Sequence, residues 1–460
     1  MSNLNKKDLA FREEALSGSI WPLIVEICFP LALFQGLNQL FNIVDTLMAS
    51  HISSSAVSTV VYLVQFNNFI AAIGTGLAVG GSITISHAYG AGEFDKVKQA
   101  LSTVLAMVLL AGLAVGTMLP FSPFILRITG TPDEFISEGS QYFAISILSQ
   151  VLHFVNVFYI SVERTRGKSK KILVLNMLNV VLKLSLTAIF VYLMNGTIVY
   201  IAIASLISNM VLSIIALYSL FHGQDAFSFS FKSINFHKRF ILPILKLAFP
   251  SMVEKMAFSY GKGAVNKMAA NYGTDVVGAA GISNNMSGLL TGLEVGYQDG
   301  GTSLLGQIYG AKDQKRLEAI YRRLQELMII TSALGFVIFY LLASSIATLF
   351  SISKGGYDES FHGMIVEIYR YELFGTLLLS LNYAATAYLI GTGRTKLTLM
   401  INFARIFIFR IPVIWAFQRF SSLGYEAVGF TMTISNALTG IFSFIVTEVV
   451  IRKDRGKKSA

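Results

Sequence analysis

Charged residues are scarce in this sequence. Asp, Glu, Lys and Arg make up 13% of the 460 residues, whereas 54% are hydrophobic. Soluble globular proteins carry about 25% charged residues, which cover their water-facing surface. The composition therefore excludes a cytosolic enzyme and a disordered scaffold. It indicates a polytopic membrane protein whose outer surface faces lipid.

Several chemical signatures are also missing. The only cysteine, Cys28, excludes an internal disulfide bond. The stretch Gly167-Lys168-Ser169 lacks the upstream glycine of a phosphate-binding loop, because Val162 occupies that position. The six histidines are scattered and form no His-Glu-x-x-His pair. We therefore expect neither an enzyme nor a resident metal or cofactor.

Long apolar runs are abundant. A membrane-spanning helix needs about 20 mostly apolar residues, and these runs lack the strict alternation of barrel strands. The sequence predicts an all-α protein with twelve spans, at 20–49, 56–86, 98–121, 141–161, 172–194, 197–221, 241–270, 276–308, 325–350, 364–390, 397–418 and 426–451.

The basic residues predict the orientation of these spans. If the N-terminus is cytoplasmic, the inside segments carry twenty-five Lys and Arg residues and the outside loops only Arg127, Lys354 and Arg419. Such a bias follows the positive-inside rule, so both termini are expected in the cytoplasm. The net charge of +10 is then mostly a topology signal, and nucleic-acid binding is the weaker interpretation.

The sequence repeats itself at an offset of 220 residues. The two halves are predicted as an N-terminal lobe at 1–221 and a C-terminal lobe at 240–460, joined by a cytoplasmic linker at 222–239. Because each lobe has six spans, both enter the membrane in the same orientation, and a substrate cavity is expected at their interface. The matches include Gly76 with Gly296, Gly80-Gly81 with Gly300-Gly301, and Tyr89-Gly90-Ala91 with Tyr309-Gly310-Ala311.

An ordered set of short motifs accompanies the repeat. They are Asn42-Ile43-Val44-Asp45, the two Tyr-Gly-Ala turns, Arg166-Gly167-Lys168-Ser169, Thr392-Gly393-Arg394-Thr395, and Pro250-Ser251 with Glu254. With these motifs, the chain resembles the multidrug and toxic compound extrusion (MATE) family. The resemblance implies a twelve-helix, two-lobed fold with pseudo-twofold symmetry. It also implies export of organic compounds across the cytoplasmic (inner) membrane in exchange for H+ or Na+.

Asp45 is the candidate coupling residue of the N-terminal lobe. A carboxylate inside a spanning helix is costly and is a functional hypothesis by default. Asn38 and Asn42 precede it on the same helix face, and Pro30 is expected to weaken or bend the helix. In the MATE family the matching Asp couples transport to the cation. A purely structural carboxylate is the alternative.

The fifth span adds Asn176, Asn179 and Lys183 on one helix face. Many MATE relatives have an acidic residue where this chain has Lys183, so the expected Na+ site is altered. We hypothesise that Lys183 pairs with Asp45, which would impair Na+ binding and favour H+. Alternatively, Lys183 snorkels or donates to backbone carbonyls.

The C-terminal half carries many charges within its spans. Most are expected to pair within the lobe, because an unpaired charge in hydrocarbon is very costly. The functional alternative is a cavity for anionic or zwitterionic solutes. The candidate substrate contacts are Asn38, Tyr62, Gln65, Asn68, Glu254, Lys255, Lys262, Arg405 and Arg410.

The sequence thus predicts a secondary antiporter that acts as a monomer on a small organic substrate by alternating access. A flippase for a lipid-linked precursor is the first rival, and it would suit the basic second half. A membrane enzyme or assembly scaffold is the second rival, but no motif supports either.

Overall fold

A computed structural model of the chain describes residues 5–50, 54–128, 136–194, 196–353 and 356–459. Within these ranges, the side chains of 42–50 and 54–65 are not described, nor are those of 128, 137, 138, 274, 352, 353, 356, 357 and 457–459. The described chain is almost entirely helical, which confirms the predicted all-α fold.

Fifteen α-helices follow one another along the described chain. A two-residue hairpin, β1 (Ile352–Ser353) with β2 (Gly356–Tyr357), separates α11 from α12. The helices are α1 (Lys6–Ser17), α2 (Ile20–Ser50), α3 (Ser54–Gly90), α4 (Phe94–Gly116), α5 (Ser122–Ile128), α6 (Ile136–Thr165), α7 (Ser169–Ala188), α8 (Ile198–His222), α9 (Lys238–Ala269), α10 (Thr274–Gly310), α11 (Gln314–Ser351), α12 (Glu359–Gly391), α13 (Thr395–Phe407), α14 (Ile411–Phe420) and α15 (Glu426–Ser459).

Each of the twelve predicted spans corresponds to a long helix or to a pair of consecutive helices. Ten of these segments are long and apolar enough to cross a membrane. The other two, α9 and α10, have 32 and 37 residues and are long enough, but charged residues interrupt the apolar sequence of α9, and glycines and polar residues interrupt that of α10. Hydropathy alone therefore misses these two helices, whereas the charge pattern and the repeat identify them.

The predicted span at 397–418 is not one continuous helix. It divides into α13 and α14, with a break at residues 408–410. Pro412 lies in the first turn of α14, where its missing N–H leaves no intrahelical bond unmade. The break places Arg410 at the N-cap of α14.

The helices form two compact units. Unit 1 comprises Met1–Ser19, Leu40–Met256 and Gly306–Asp313, and unit 2 comprises Ile20–Gln39, Ala257–Leu305 and Gln314–Ala460. Each unit takes segments from both sequence halves, because α2, α9 and α10 each contribute to both. The two lobes at 1–221 and 240–460 stay a prediction.

Glycines allow very close helix contacts within unit 2. A Cβ atom added to Gly296 of α10 would lie 2.3 Å from the Cα atom of Ala32 in α2. One added to Gly300 would lie 2.7 Å from the Sγ atom of Cys28. Only a residue without a side chain lets these two backbones approach so closely.

The same contact recurs within unit 1 at the repeat offset. A Cβ atom on Gly76 of α3 would lie 2.2 Å from Cγ of Met252 and 3.0 Å from the backbone oxygen of Ala248, both in α9. Gly76 matches Gly296, and Met252 matches Ala32, each at an offset of 220. The internal repeat is therefore visible as a pair of equivalent helix contacts.

Candidate functional site

The predicted coupling centre of the N-terminal half is only partly described. Asn42, Asp45, Tyr62 and Gln65 lie outside the described side chains. The backbone of α2 continues as helix through Pro30 to Ser50. The roles predicted for these residues therefore stay predictions.

The neighbouring amide residues of α7 are described. Asn176 is buried, with 6% of its surface exposed, and Asn179 and Lys183 are half-buried. The Oδ1 atom of Asn179 is buried, and no hydrogen-bond partner for it lies among the described residues. Such an oxygen is suited to accept a bond from a cation or a protonated group.

The predicted substrate contacts fall into two groups. Asn38 is half-buried in unit 2, whereas Asn68, Glu254 and Lys255 belong to unit 1, where Asn68 and Lys255 are exposed. Lys262, Arg405 and Arg410 are brought together in unit 2. We call Lys262, Arg405 and Arg410, together with Glu372 and Asn436, the basic cluster.

Two guanidinium groups of the basic cluster converge on one amide oxygen. Arg410 is 3% exposed, and its Nη2 atom donates to Oδ1 of Asn436 at 2.9 Å. Its Nε atom donates to Oγ of Ser435 at 3.0 Å. Arg405 donates from Nη2 to the same Oδ1 of Asn436 at 2.9 Å, and its guanidinium lies 5.5 Å from the ring centre of Phe258. Neutral oxygens thus hold both arginines in place, and the ring of Phe258 adds a cation–π contact to Arg405.

A single carboxylate accompanies these cations. Glu372 is 5% exposed and accepts a hydrogen bond from Oγ of Ser283 at 2.7 Å. Among the described side chains, it is the only carboxylate that interacts electrostatically with Lys262, Arg405 and Arg410. The cluster therefore holds three basic groups and one acidic group.

Asn436 and Ser435 were not identified from the sequence. They form a polar pair inside the apolar run of α15, and such a pair was the available signal. Their importance depends on partners 25 to 31 residues away, which hydropathy does not reveal.

A second ionic group lies in unit 1 and centres on Arg166, which follows α6. Its Nη2 atom is 2.7 Å from Asp8 of α1 and 2.7 Å from Asp225, and its Nη1 atom is 3.4 Å from Glu163. Burial acts to lower the pKa of Arg166, but these three carboxylates raise it above its ordinary value. Burial and the adjacent Arg166 lower the pKa of Lys168. These contacts, called the Arg166 network below, fasten α1 to the rest of unit 1.

Two segments of the chain, 30–189 and 250–416, match a single family model. They correspond to the two halves of the internal repeat, and the fold is that of a multi-pass membrane transporter. The matching model is MatE, so the chain belongs to the MATE family. MATE proteins are transporters and not enzymes.

Curated relatives and solved structures are similar over nearly their whole length. The probable multidrug resistance protein YoeA of Bacillus subtilis is 21% identical over 416 residues, covering 88% of each chain. The multidrug export protein MepA of Staphylococcus saprophyticus is 21% identical over 442 residues, covering 95% of each. An outward-facing MATE transporter of the MOP superfamily has a TM-score of 0.91 at 21% identity, covering 98% of this chain and 99% of that one. The structural likeness shows the shared fold.

Proposed function

We propose that this protein exports organic compounds from the cell by antiport, with H+ as the favoured coupling ion and Na+ as the alternative. Family membership supports an efflux transporter, and relatives such as YoeA and MepA bear names of multidrug resistance and export. The proposed location is the cytoplasmic membrane, with both termini in the cytoplasm and a monomeric chain. The charge asymmetry of the loops supports this orientation.

The observation that carries the coupling proposal is the division of α2. Its segment Ile20–Gln39 belongs to unit 2, whereas the stretch from Leu40 onward, with Asp45, belongs to unit 1. Binding of a cation at Asp45 removes or neutralises one charge and changes which surroundings the helix prefers. A helix shared by both units is suited to transmit that change. Pro30 lowers the cost of bending it, because it removes one backbone hydrogen-bond donor.

The choice of H+ over Na+ depends on α7. An ammonium group at Lys183 would repel Na+ from a nearby carboxylate, whereas a proton can still be bound there. The half-buried position of Lys183 and the buried Oδ1 atom of Asn179 are consistent with a polar site on this face. The Asp45–Lys183 pair itself is part of the proposal.

Dye uptake into inverted membrane vesicles tests the proposal. Cationic and anionic dyes are offered under an imposed pH gradient or an imposed Na+ gradient, to wild type and to Asp45→Asn. We expect uptake driven by the pH gradient in wild type and its loss in Asp45→Asn. Glu13→Gln, which removes an exposed carboxylate of α1, is the matched control and should transport normally. Uptake that needs Na+ and ignores the pH gradient would refute the Lys183 argument.

The basic cluster favours a second candidate, which is export of an anionic or zwitterionic metabolite or flipping of a lipid-linked precursor. A surplus of buried guanidinium groups is unsuited to lipophilic cations. A flippase would leave drug susceptibility unchanged when its gene is deleted. An exporter of toxic compounds would raise the minimal inhibitory concentration of its substrates when overproduced.

A further inference from the structure

The basic cluster has a surplus of positive charge that the described protein does not neutralise. Lys262, Arg405 and Arg410 interact electrostatically with one another and with one carboxylate, Glu372. That carboxylate already accepts a hydrogen bond from Ser283. An uncompensated charge inside a protein is costly, so such a surplus needs either a functional reason or a bound counter-charge.

The hydrogen-bond donors of the cluster also exceed its acceptors. Each guanidinium has five N–H groups. Arg405 and Arg410 share the neutral oxygen of Asn436, and their further partners are Tyr383 for Arg405 and Ser435 for Arg410, which leaves most of the ten donors unused by the described residues. The Nε atom of Arg405 is buried, and no partner for it lies among the described residues. A ligand with two or three oxygens could accept these unused donors.

The three basic residues of the cluster differ in their exposure. Exposure falls from Lys262, which is exposed, through the half-buried Arg405 to Arg410, which is 3% exposed. Lys262 interacts electrostatically with Arg405 and Arg410. Lys262 is therefore the most accessible of the three basic groups.

We propose that the basic cluster binds the anionic group, a carboxylate or a phosphate, of the exported compound. Arg405 and Arg410 supply the planar donors that match such oxygens, and Lys262, the most accessible of the three, attracts the anion. Asn436 is a positioning residue, because its oxygen holds both guanidinium groups side by side. This assignment rests on the proposed export function and names the substrate chemistry of that function.

Direct binding to purified protein in detergent tests the site. The probe is 5-carboxyfluorescein, an organic carboxylate, and its fluorescence anisotropy gives a dissociation constant. We expect Arg405→Gln to weaken binding about 10- to 100-fold, because a charge-assisted hydrogen bond is lost. Arg419→Gln makes the same change at an exposed position of α14 and should bind like wild type. Equal affinity in both variants would overturn the proposal.

Asn436→Asp provides a test that does not depend on destabilising the protein. The new carboxylate would lie between the two guanidinium groups and would take the place of the ligand's charge. We expect this variant to unfold at a higher temperature than wild type and to lose carboxyfluorescein binding. Unchanged binding by Asn436→Asp, or no binding by wild type, would contradict the assignment.

Competition identifies the source of the anion. Displacement of the probe by benzoate indicates that the site binds a soluble organic anion. Displacement only by dioctanoyl phosphatidic acid indicates a lipid phosphate. Both outcomes support the site. Uptake of the cationic dye ethidium separates this inference from the export proposal. If ethidium uptake is driven by a gradient but the protein binds no anion, only the anion site is refuted. If the protein binds the anion but no dye is transported by a gradient, only the export proposal is refuted.

Discussion

The contact between α2 and α10 allows a quantitative prediction for Gly296→Ala. The added methyl group would lie 2.3 Å from Cα of Ala32 and 2.5 Å from the carbonyl carbon of Leu31. Both are backbone atoms, so the two helices must separate to admit it. Overpacking of this kind costs about 1–3 kcal/mol. Replacing Gly by Ala within a helix returns about 0.5–1 kcal/mol, so the middle of the two ranges leaves a net cost of about 1 kcal/mol.

The single cysteine provides the assay. Cys28 is buried, and its Sγ atom lies beside Gly300, one turn along α10 from Gly296. Separation of α2 from α10 should expose this thiol to N-ethylmaleimide. A net cost of about 1 kcal/mol raises the open population, and hence the alkylation rate, about 5-fold.

Gly281→Ala is the matched control for this experiment. It makes the same substitution in the same helix, but a Cβ atom there meets nothing within 4 Å. We expect its alkylation rate to equal or fall below that of wild type. If Gly296→Ala and Gly281→Ala alkylate at the same rate, the reasoning from the close helix contact is refuted.

Two further predictions concern unit 1. Asp8→Asn should weaken the Arg166 network by about 2 kcal/mol and increase tryptic cleavage after Arg12 within α1 about 30-fold. Ser17→Ala, at an exposed position of the same helix, should leave this cleavage unchanged. Equal cleavage in both variants would contradict the role of the network. Gly76→Ala should lower the unfolding temperature less than Gly296→Ala. The atom nearest to the added methyl group at Gly76 belongs to the flexible side chain of Met252 and not to the backbone. A larger effect at Gly76 would contradict this comparison.

The sequence predicted the helices well because a spanning helix has a signature of its own. About 20 consecutive apolar residues are visible without knowledge of any partner, and the repeat identified the two helices whose charged, polar and glycine residues obscure that signature. The break before Arg410 was missed although Pro412 signalled it. A proline within an apolar run is compatible with either a kink or a new helix, and hydropathy does not distinguish them.

The contacts of the polar groups were less predictable. Asp8 is a charged residue in a mixed N-terminal segment, yet it is 1% exposed because Arg166, 158 residues away, binds it. Lys262, Arg405 and Arg410 were singled out because charges in spans are costly, but their convergence was not predicted. The pairing of Arg405 with Arg410 depends on Asn436, which reaches both from another helix. Long-range pairing of this kind is set by the fold and not by local pattern.

The central proposal, that Asp45 couples transport to a cation, is tested by one comparison in proteoliposomes. Two rates are measured for the same dye in Asp45→Asn and in wild type: accumulation driven by a pH gradient, and exchange between equal dye concentrations without a gradient. The account predicts that Asp45→Asn loses accumulation and retains exchange. Accumulation at the wild-type rate, or equal loss of both activities, would contradict it.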